Sequence, residues 1–444
     1  MKSANSMKWF SELDFERLPM RISTDRYTSR EIQERERELI WMRVWQVAGR
    51  ADELPNAGDW KEYRIFDQSY LLVRGSDGKV RGFVNACRHR GNALCQGKGH
   101  TARFTCPYHL WSYGLEGRLL AVARPDLVGP IDKSQHGLLQ VPVECFAGFI
   151  FLNPDPKAAP LADFLGNDVI EGLAPYRLEE MTPVGLNVRQ SLDCNWKVVM
   201  DAFSEGYHIL GIHPQLLRVI VIDSNKNRFG FFGDHSVAVA PFEVANVEGF
   251  GPEKQIEGIR DLPETFPTVA EVLPRFEALV QAHRGADGTL QLPERVTARI
   301  LLQQATRDTL SRKGLDVSGL TDDQMSDNQG WVLFPNFFMT IRAGEATVIM
   351  SVPHPDADPN RCIWHVTSYM WLPPDLRAQY RAELIEEPKD YKYFLALQQD
   401  YEQMPRQQRG LRNRALEHMS LAREEVCIAR FHSVVDRYLG GKAA

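Results

Sequence analysis

Cysteine is scarce in this sequence. The chain has 7 cysteines in 444 residues, an odd number that is too small for the disulfide framework of a secreted protein. An excess of positive charge is also missing, because 52 Lys and Arg residues face 58 Asp and Glu residues, for a formal net charge of -6. Such a surface offers no general attraction to nucleic acid or to anionic lipid. We therefore expect a reducing cytoplasmic environment and a small substrate, with neither nucleic acid nor a membrane as partner.

Long apolar segments are absent as well. The first twenty residues carry charges from Lys2 to Arg17 and have no apolar core, which is unlike a signal peptide or a membrane span. The longest apolar run, Phe146 to Leu152, has the length of a β-strand. A content of 43% hydrophobic and 25% charged residues is typical of a globular protein. At this length we expect two or three domains.

The first part of the chain has the pattern of a small antiparallel β domain. Residues 32–44 predict a charged amphipathic helix, and short β-rich runs follow it at 63–66, 70–73 and 80–85. Asp77-Gly78, between the last two runs, is a strong hairpin signal. We predict an N-terminal helical segment over residues 1–44 that packs on the later domain, and a β domain over residues 45–157.

The remaining residues, 158–444, group strands before helices without regular alternation, which predicts an α+β domain with an antiparallel sheet packed against helices. The strand-like runs are 184–188, 237–240, 331–342, 347–352 and 362–371, and the helical runs are 196–208, 375–386, 391–404 and 421–439. A long polar insertion over residues 245–325 interrupts this pattern. Insertions of this kind often cover a substrate site, and we predict that role here.

Two pairs of residues have the spacing of metal ligands. Cys87 and His89 form a Cys-x-His pair, and Cys106 and His109 form a Cys-x-x-His pair. Four such ligands suit either a tetrahedral zinc ion or a two-iron cluster. Zinc knuckles more often pair cysteine with cysteine, whereas mixed pairs let both thiolates hold one iron and both imidazoles the other. We favour the cluster and keep zinc as the alternative.

A second polar set lies on the predicted helix 196–208. Asp201, Glu205 and His208 are spaced i, i+4 and i+7, which places them on one stripe of a helix. The neighbouring positions are apolar, so a buried polar stripe must be hydrogen-bonded or bound to metal. We therefore interpret this stripe as a second candidate metal site.

His213 extends this set beyond the helix. It lies five positions after His208, too far round a regular helix for the two rings to converge. Gly211 predicts a helix end, and Pro214 favours an extended His213, so the chain can turn both imidazoles to one point. Two histidines and one carboxylate form the facial triad of a non-haem Fe(II) site, which leaves positions open for O2.

The third ligand is less clear from spacing alone. Asp400 belongs to a stripe with Tyr393, Leu397 and Met404 that predicts a core-facing helix surface. Glu205 and Asp201 compete with Asp400 for this role, and a solvent-exposed acid is the plain alternative for Asp400. We take Asp400 as the candidate.

These motifs together resemble the α subunit of Rieske non-haem iron ring-hydroxylating oxygenases, over nearly the whole chain from about Trp45. The matching motifs are Cys87-x-His89, Cys106-x-x-His109, Asn195-Trp196-Lys197, Glu205-x-x-His208-x4-His213 and Gln399-Asp400. The resemblance implies a Rieske [2Fe–2S] cluster on the Cys and His pairs, mononuclear Fe(II) on His208, His213 and Asp400, and a helix-grip catalytic domain. It raises Asp400 above its two competitors.

The resemblance also implies partners and a reaction. An NAD(P)H-dependent reductase, with or without a ferredoxin, would supply electrons, and a head-to-tail homotrimer would let the cluster of one subunit serve the iron of the next. Glu205 would bridge His109 of one subunit and His208 of its neighbour, and Asp201 would lie near the iron. Several apolar residues are candidates for the substrate wall: Phe203, Leu210, Ile212, Phe338 and Phe394.

The expected reaction is hydroxylation or dihydroxylation of an aromatic or similar apolar substrate with O2, as in aromatic hydrocarbon catabolism. An O- or N-demethylating monooxygenase is an alternative on the same iron. A Rieske electron carrier without a working mononuclear iron, and a zinc protein, are alternatives of other classes.

Overall fold

A computed structural model describes residues 17–218, 227–242, 251–264, 266 and 268–440. Residues 1–16 of the predicted N-terminal segment, and residues 245–250, 265 and 267 of the predicted insertion, therefore lie outside the described residues. The chain divides into two compact units. The β unit comprises Gln33–Phe164 and Pro353–Asp358, and the α+β unit comprises the residues before Gln33, Leu165–Val352 and the residues from Pro359 onwards.

The described elements follow in chain order. The strands are β1 Arg21–Ser23, β2 Gln46–Arg50, β3 Asp59–Ile65, β4 Gln68–Arg74, β5 Val80–Val84, β6 Lys98–His100, β7 Phe104–Thr105, β8 Ser112–Tyr113, β9 Leu119–Ala121, β10 Gln140–Val141, β11 Val143–Phe146, β12 Phe149–Leu152, β13 Met181–Leu192, β14 Arg228–Phe232, β15 His235–Ala240, β16 Asn328–Leu333, β17 Phe337–Arg342, β18 Glu345–Pro353, β19 Cys362–Trp371, β20 Ile385–Glu386 and β21 His418–Ser420. The α-helices are α1 Asp25–Thr28, α2 Arg30–Glu36, α3 Pro125–Val128, α4 Leu161–Leu173, α5 Trp196–Phe203, α6 Ile209–Ile212, α7 Pro252–Asp261, α8 Thr268–Ala282, α9 Ala298–Arg312, α10 Asp322–Ser326, α11 Pro374–Tyr380, α12 Leu395–Leu411 and α13 Val426–Tyr438.

The β unit consists of three small sheets with strand orders β10-β5-β4-β3-β6, β11-β12-β2 and β7-β8-β9. The predicted hairpin forms between β4 and β5, and Gly78 in its turn has a φ of 77°. The run 146–152 does not form the single strand that its apolar character predicts. Ala147 and Gly148 have φ values of 51° and 81°, and this turn folds the segment into the hairpin of β11 and β12.

The core of the β unit surrounds the two predicted cysteine ligands. Cys87 and Cys106 are buried among apolar side chains that come from several strands and loops: Leu71, Val73, Phe83, Phe104, Trp111, Tyr113 and Leu119. Each apolar side chain buried in this way stabilises the fold by about 1.5–3 kcal/mol. The loops that carry the cysteines are thus anchored in an apolar core of the unit.

The α+β unit is built on an eight-stranded sheet of order β14-β15-β16-β17-β18-β19-β13-β20. Helix α5 packs on β17 and β19, α12 packs on α5, and α13 packs on β14 and β15. The predicted α+β class is therefore confirmed. Strand β1 adds a short antiparallel pairing with β21, which joins the beginning of the described chain to a segment near its end.

The insertion forms a helical layer with its own core. Helices α7, α8 and α9 bury Ile256, Phe276 and Leu302 in one apolar cluster. Asp327, which follows α10, is buried, binds the Arg299 guanidinium and accepts a hydrogen bond from the backbone N–H of Phe242. No described helix is long and apolar enough to cross a membrane.

Gly117 provides a test of packing in the β unit. Its φ is 82°, and a Cβ added there would overlap the ring of Phe83, which is buried in the core. Gly78 has nearly the same φ of 77°, but a Cβ there meets nothing within 4 Å. Both Gly→Ala changes incur the strain of a left-handed alanine, and only Gly117→Ala adds overpacking, which costs about 1–3 kcal/mol. We expect the urea midpoint to fall further for Gly117→Ala, and equal midpoints would contradict a role for the Phe83 contact.

Candidate metal centres

Three predicted ligands converge in the α+β unit. One ligand atom from each of His208, His213 and Asp400 lies within 4.8 Å of the other two. The Oδ1 atom of Asp400 is 3.0 Å from His213 Nε2 and 3.7 Å from His208 Nε2. His213 and Asp400 are buried. In the described part of the chain, this set is the only group of three or more His, Cys, Asp or Glu residues whose ligand atoms converge in this way.

The local backbone explains how the two histidines meet. Helix α5 begins at the N-cap Asn195, whose side chain accepts a hydrogen bond from the N–H of Lys197. The helix ends at Ser204 and not at Gly211, so the prediction of one continuous helix from 196 to 208 was wrong. The Ser204 hydroxyl bonds the carbonyl of Met200 and competes with further helical bonds. His208 is the N-cap of the single-turn helix α6, and His213 is its C-cap, with a φ of -122°.

A second group orients each imidazole. Glu205 receives hydrogen bonds from the backbone N–H of His208, at 3.0 Å, and from its ring Nδ1, at 2.5 Å. Gln399 Oε1 lies 2.8 Å from His213 Nδ1 and also accepts a bond from Gln215. Partners on Nδ1 leave Nε2 of both rings directed at Asp400. This is the arrangement by which proteins fix the rings of metal-binding histidines.

The surroundings of His208 are acidic. Burial lowers the pKa of His208, but its hydrogen bond with Glu205 and the charges of Glu205 and Asp400 raise it by more, so the net shift is upward. Burial also raises the pKa of Glu425, and the charges of Glu205 and Asp201 add to that rise. The electrostatic environment therefore favours a positive charge at this position.

The structure does not bring Asp201 to this cluster. Its carboxylate accepts a 2.5 Å hydrogen bond from the Tyr27 hydroxyl and lies 3.2 Å from His432 Nε2. The Tyr27 oxygen is also 2.8 Å from His432 Nε2, and all three residues are buried. Asp201 is therefore not among the ligand atoms that converge with His208, His213 and Asp400. Asp201 thus belongs to a structural network that ties α5 to α13 and to the N-terminal segment.

A cavity opens on the histidine cluster, and we call it the inner cavity. Its volume is about 190 Å³. Its wall includes the predicted residues Phe203, Phe338 and Phe394, and the rings of Phe203 and Phe338 are 5.7 Å apart. Leu210 and Ile212 are not part of this wall. On the turn α6 the neighbouring Ile209 faces the cavity, whereas Leu210, about 100° further round, is half exposed.

A second cavity, the outer cavity, has a volume of about 270 Å³. It shares five wall residues with the inner cavity, so the two are contiguous: Phe266, Asn328, Thr340, Thr347 and Phe394. Phe266 comes from the predicted insertion, which therefore contributes to the wall of both cavities. Arg342 and Lys392 line only the outer cavity, where Arg342 is paired with Glu345.

The other four predicted ligands lie in the β unit. The buried Cys87 Sγ is 3.2 Å from the Tyr113 hydroxyl, which also accepts a bond from the N–H of Arg88. Burial raises the pKa of the Cys87 thiol, and the hydrogen bond with Tyr113 opposes that rise. Both cysteines are free thiols. A buried thiol beside a hydrogen-bond donor suits a cluster thiolate, whose potential depends on such bonds.

The two histidines of this set lie closer to the protein surface than the two thiols do. The ring centroids of His89 and His109 are 4.5 Å apart, and the ring of Trp111 stacks on His89 at 4.9 Å. The thiols are buried while His89 is exposed. The two thiols therefore lie on the buried side of this set and the two imidazoles nearer its surface.

Several residues of these sites have no signal in the sequence that would have assigned their roles. Gln399 stands beside Asp400, yet spacing does not show that it bonds His213. Tyr27 and His432 lie more than 170 residues from Asp201. Phe229 of β14 and Asn328 of β16 line the inner cavity because of strand pairing in the eight-stranded sheet, and Asn227 lies just before β14. Only the three-dimensional structure reveals this.

Comparison with protein families gives two matches. Residues 176–441 match the ring-hydroxylating α subunit (catalytic domain) family, and residues 44–131 match the Rieske [2Fe–2S] domain. The first match covers more than half of the chain.

Curated relatives are similar over part of their length. A glycine betaine monooxygenase oxygenase subunit of Chromohalobacter salexigens is 37% identical over 183 residues, which are 41% of this chain and 40% of that protein. A carnitine monooxygenase oxygenase subunit of Escherichia coli K12 is 34% identical over 203 residues, 44% and 53% of the two chains. The anthranilate 1,2-dioxygenase large subunit of Acinetobacter baylyi is 36% identical over 203 residues, 44% and 42%. The matched segments thus span about half or less of these relatives.

Solved structures share the fold over nearly the whole chain. A quaternary ammonium Rieske monooxygenase in complex with L-carnitine superposes with a TM-score of 0.63 at 19% identity, over 97% of this chain and 96% of that one. Naphthalene 1,2-dioxygenase from Rhodococcus sp. gives the same TM-score at 19% identity, over 94% of each chain. At this identity the likeness establishes the fold.

The buried network around Asp201 can be tested by stability. Tyr27→Phe removes the hydroxyl that bonds Asp201 and leaves a buried carboxylate without that donor, which costs about 1–3 kcal/mol. Tyr380→Phe is the matched control, because the Tyr380 side chain is half exposed. We expect a lower urea midpoint for Tyr27→Phe alone. If both variants unfold like the parent, the network does not stabilise the unit.

Proposed function

This chain belongs to the family of ring-hydroxylating α subunits, and from that premise we propose that it is the terminal oxygenase of a Rieske system that oxidises an N-methyl group of a small cationic amine. The family carries a Rieske [2Fe–2S] cluster and a mononuclear iron that uses O2. The observation that carries the substrate class is the inner cavity, which ends on His208, His213 and Asp400 and combines aromatic rings with carboxylates.

The residues present fit both groups. The thiols of Cys87 and Cys106 and the imidazoles of His89 and His109 are the donors that a Rieske cluster requires. His208, His213 and Asp400 form the facial triad of a non-haem Fe(II) site. When bound, the cluster supplies single electrons and the mononuclear iron activates O2.

The chain itself orients, shields and balances charge. Glu205 and Gln399 hold the two imidazoles through Nδ1, and the carboxylate of Asp400 faces both Nε2 atoms. The phenylalanine rings of the inner cavity exclude water from the reacting methyl group, which protects a strong oxidant from side reactions. We propose that Glu205 also bridges to His109 of a neighbouring copy in a homotrimer, which would link the two metal centres.

The lining of the inner cavity favours a cation. Five phenylalanines line it, namely Phe203, Phe229, Phe266, Phe338 and Phe394, together with Glu424, an acid outside the proposed iron ligands and their hydrogen-bond partners. Its described lining contains neither lysine nor arginine. Aromatic faces attract ammonium groups, and quaternary ammonium recognition commonly relies on them. The names of the glycine betaine and carnitine relatives support the same choice, and with it the demethylating alternative over aromatic hydroxylation.

The outer cavity suits a negatively charged group. Lys392 lies at its exposed edge and forms no ion pair with any other described residue, and Arg342 lines the same cavity. A zwitterion could therefore place its ammonium group near the iron and its carboxylate near Lys392. This arrangement gives each end of the substrate a complementary environment.

The proposed reaction is balanced as follows. The substrate methyl group, O2, two electrons and two protons give a hydroxymethyl group and water, and the hydroxymethyl group on nitrogen then leaves as formaldehyde. NAD(P)H supplies the two electrons through a reductase, with or without a ferredoxin. The demethylated amine is the second product.

A second candidate is dihydroxylation of an aromatic ring. The five phenylalanines would also accept a flat apolar ring, and the anthranilate dioxygenase relative is as similar as the monooxygenases. The acidic lining argues against an anionic ring such as anthranilate itself. The two candidates differ in their products.

We expect turnover of an N-methylated amine to release formaldehyde. The iron-loaded protein with a surrogate reductase and NADH is incubated with glycine betaine, N,N-dimethylglycine or anthranilate, and formaldehyde, O2 uptake and product mass are measured. At least one amine should give formaldehyde and a product smaller by one methylene unit. A dihydroxylated ring product, with no formaldehyde from either amine, would favour the second candidate.

The ligand role of Asp400 is tested by metal content. Asp400→Ala should lower the iron content from about three to about two atoms per chain, while the visible absorption of the cluster persists, because the triad loses its carboxylate. Asp375→Ala, at an exposed site on α11, is the control and should retain all three. Three irons in Asp400→Ala would move the third ligand to another residue.

A further inference from the structure

The inner and outer cavities lie in line along two central strands of the sheet. On β17, Phe338 lines the inner cavity, Thr340 lines both cavities and Arg342 lines the outer one. Alternate residues of a strand face the same side, so one side of β17 passes from the first cavity to the second. The cross-strand partners on β18 line the cavities in the same order: Ile349, Thr347 and Glu345. The two cavities therefore share one continuous floor of paired strands.

A second wall runs in the same direction. Asp400 and Leu397 of α12 line the inner cavity, and Phe394, just before α12, lines both cavities. Lys392, two residues further toward the N-terminus, lines only the outer cavity. Both walls thus give one path, with the candidate metal ligand Asp400 at one end and Lys392 at the other.

The floor sets a length for the occupant of this path. Arg342 lies four residues after Phe338 on β17, and four residues of strand span about 14 Å. An extended chain needs about twelve bonds to cover that length, since each residue of three backbone bonds spans about 3.3–3.6 Å. Glycine betaine, in which a single methylene group separates the nitrogen from the carboxylate, is much shorter than this path.

The volumes lead to the same conclusion. The inner cavity holds about 190 Å³ and the outer cavity about 270 Å³, together about 460 Å³. Pockets for drug-sized ligands measure about 300–1,000 Å³. The inner cavity alone is below this range, and the two cavities together are within it. A small betaine would therefore leave the outer cavity without an occupant.

The lining of the outer cavity suits an apolar chain with an anionic end. Leu186 and Met370 line it together with several aromatic rings. Arg342 and Glu345 are buried there as an ion pair, so they contribute no net charge. Lys392 is the remaining charged residue of the described lining, and it is exposed. A carboxylate at the end of an apolar chain would meet this ammonium group at the cavity edge.

We propose that the outer cavity is a subsite for the tail of an elongated substrate, an N-methylated ω-amino acid whose spacer of about six to nine methylene groups reaches from the metal centre to Lys392. This inference rests on the proposed function, because it names the substrate class of the same site. Glycine betaine and carnitine, which appear in the names of the relatives, are shorter molecules.

The test measures binding without turnover. Isothermal titration of the oxidised, iron-loaded protein, with no reductase, is performed with glycine betaine, γ-butyrobetaine, 6-(trimethylammonio)hexanoate and 8-(trimethylammonio)octanoate. Each buried methylene group tightens binding by up to about fourfold, so we expect the dissociation constant to fall by at least about thirtyfold over the series. A total fall of less than about thirtyfold, or tighter binding of glycine betaine, would overturn the proposal.

A variant that fills the outer cavity locates the tail. Ser368 of β19 is half-buried and lines only the outer cavity. Ser368→Leu should therefore reduce the ratio of the dissociation constants of glycine betaine and 8-(trimethylammonio)octanoate toward one. Ser311→Leu, at an exposed site on α9, is the matched control and should keep the full ratio. A Ser368→Leu protein that also keeps the full ratio would overturn the placement of the tail.

The anionic end is tested at the surface, where a substitution does not disturb the core. Lys392→Gln should weaken the binding of 8-(trimethylammonio)octanoate by about two- to fivefold. Octyltrimethylammonium has the same number of chain carbons and no carboxylate, and its binding should not change. Lys389→Gln, also exposed and outside the outer cavity, is the control. Equal effects of Lys392→Gln on the two ligands would overturn the role of Lys392.

The outcomes separate this inference from the proposed function. If glycine betaine binds as tightly as the octanoate and releases formaldehyde on turnover, the proposed function stands and the tail subsite fails. If affinity rises with chain length but no bound amine releases formaldehyde, the tail subsite stands and the proposed function fails. If no member of the series binds, both fail.

Discussion

The carboxylate of Asp400 facing two imidazoles is the interaction on which the rest of the α+β unit depends. Both Nε2 atoms point at one oxygen because Glu205 and Gln399 occupy the Nδ1 positions. Three groups with affinity for protons and metal are thus held close together in a largely buried place, where an unpaired charge would be costly. The end of α5 at Ser204, the turn α6 and the position of α12 are all constrained by this convergence.

Much of this arrangement could be predicted from local spacing. Ligand pairs two, three or five residues apart lie on one loop or turn, so Cys87 with His89, Cys106 with His109 and His208 with His213 are visible in the sequence. Asp400 could not be assigned from local spacing, since it lies 187 residues after His213. Only the resemblance favoured it as the third ligand over Glu205 and Asp201.

The remaining features depend on tertiary packing. A helix through His208 was the natural expectation from periodicity, but α5 ends at Ser204, whose hydroxyl bonds the carbonyl of Met200. Asp201 is bonded to Tyr27 and lies beside His432, away from the three converging ligands. The same limit applies to the wall of the cavity. Phe203, Phe338 and Phe394 were found because they are aromatic, whereas Leu210 was misplaced by one position on a single helical turn, and Asn227 and Asn328 carry no pattern that distinguishes them from ordinary strand-end residues.

The pairing of β1 with β21 has a consequence for biosynthesis. Ile22 is aligned with Met419, so this short sheet, and the contacts of Tyr27 with α5 and α13, cannot form until the ribosome has made almost the entire described chain. The β unit, by contrast, is drawn mainly from the contiguous segment Gln33–Phe164 and can fold while synthesis continues, as domains commonly do. In a nascent chain the α+β unit would then be the last to complete its fold. It is the unit that would need chaperone assistance most.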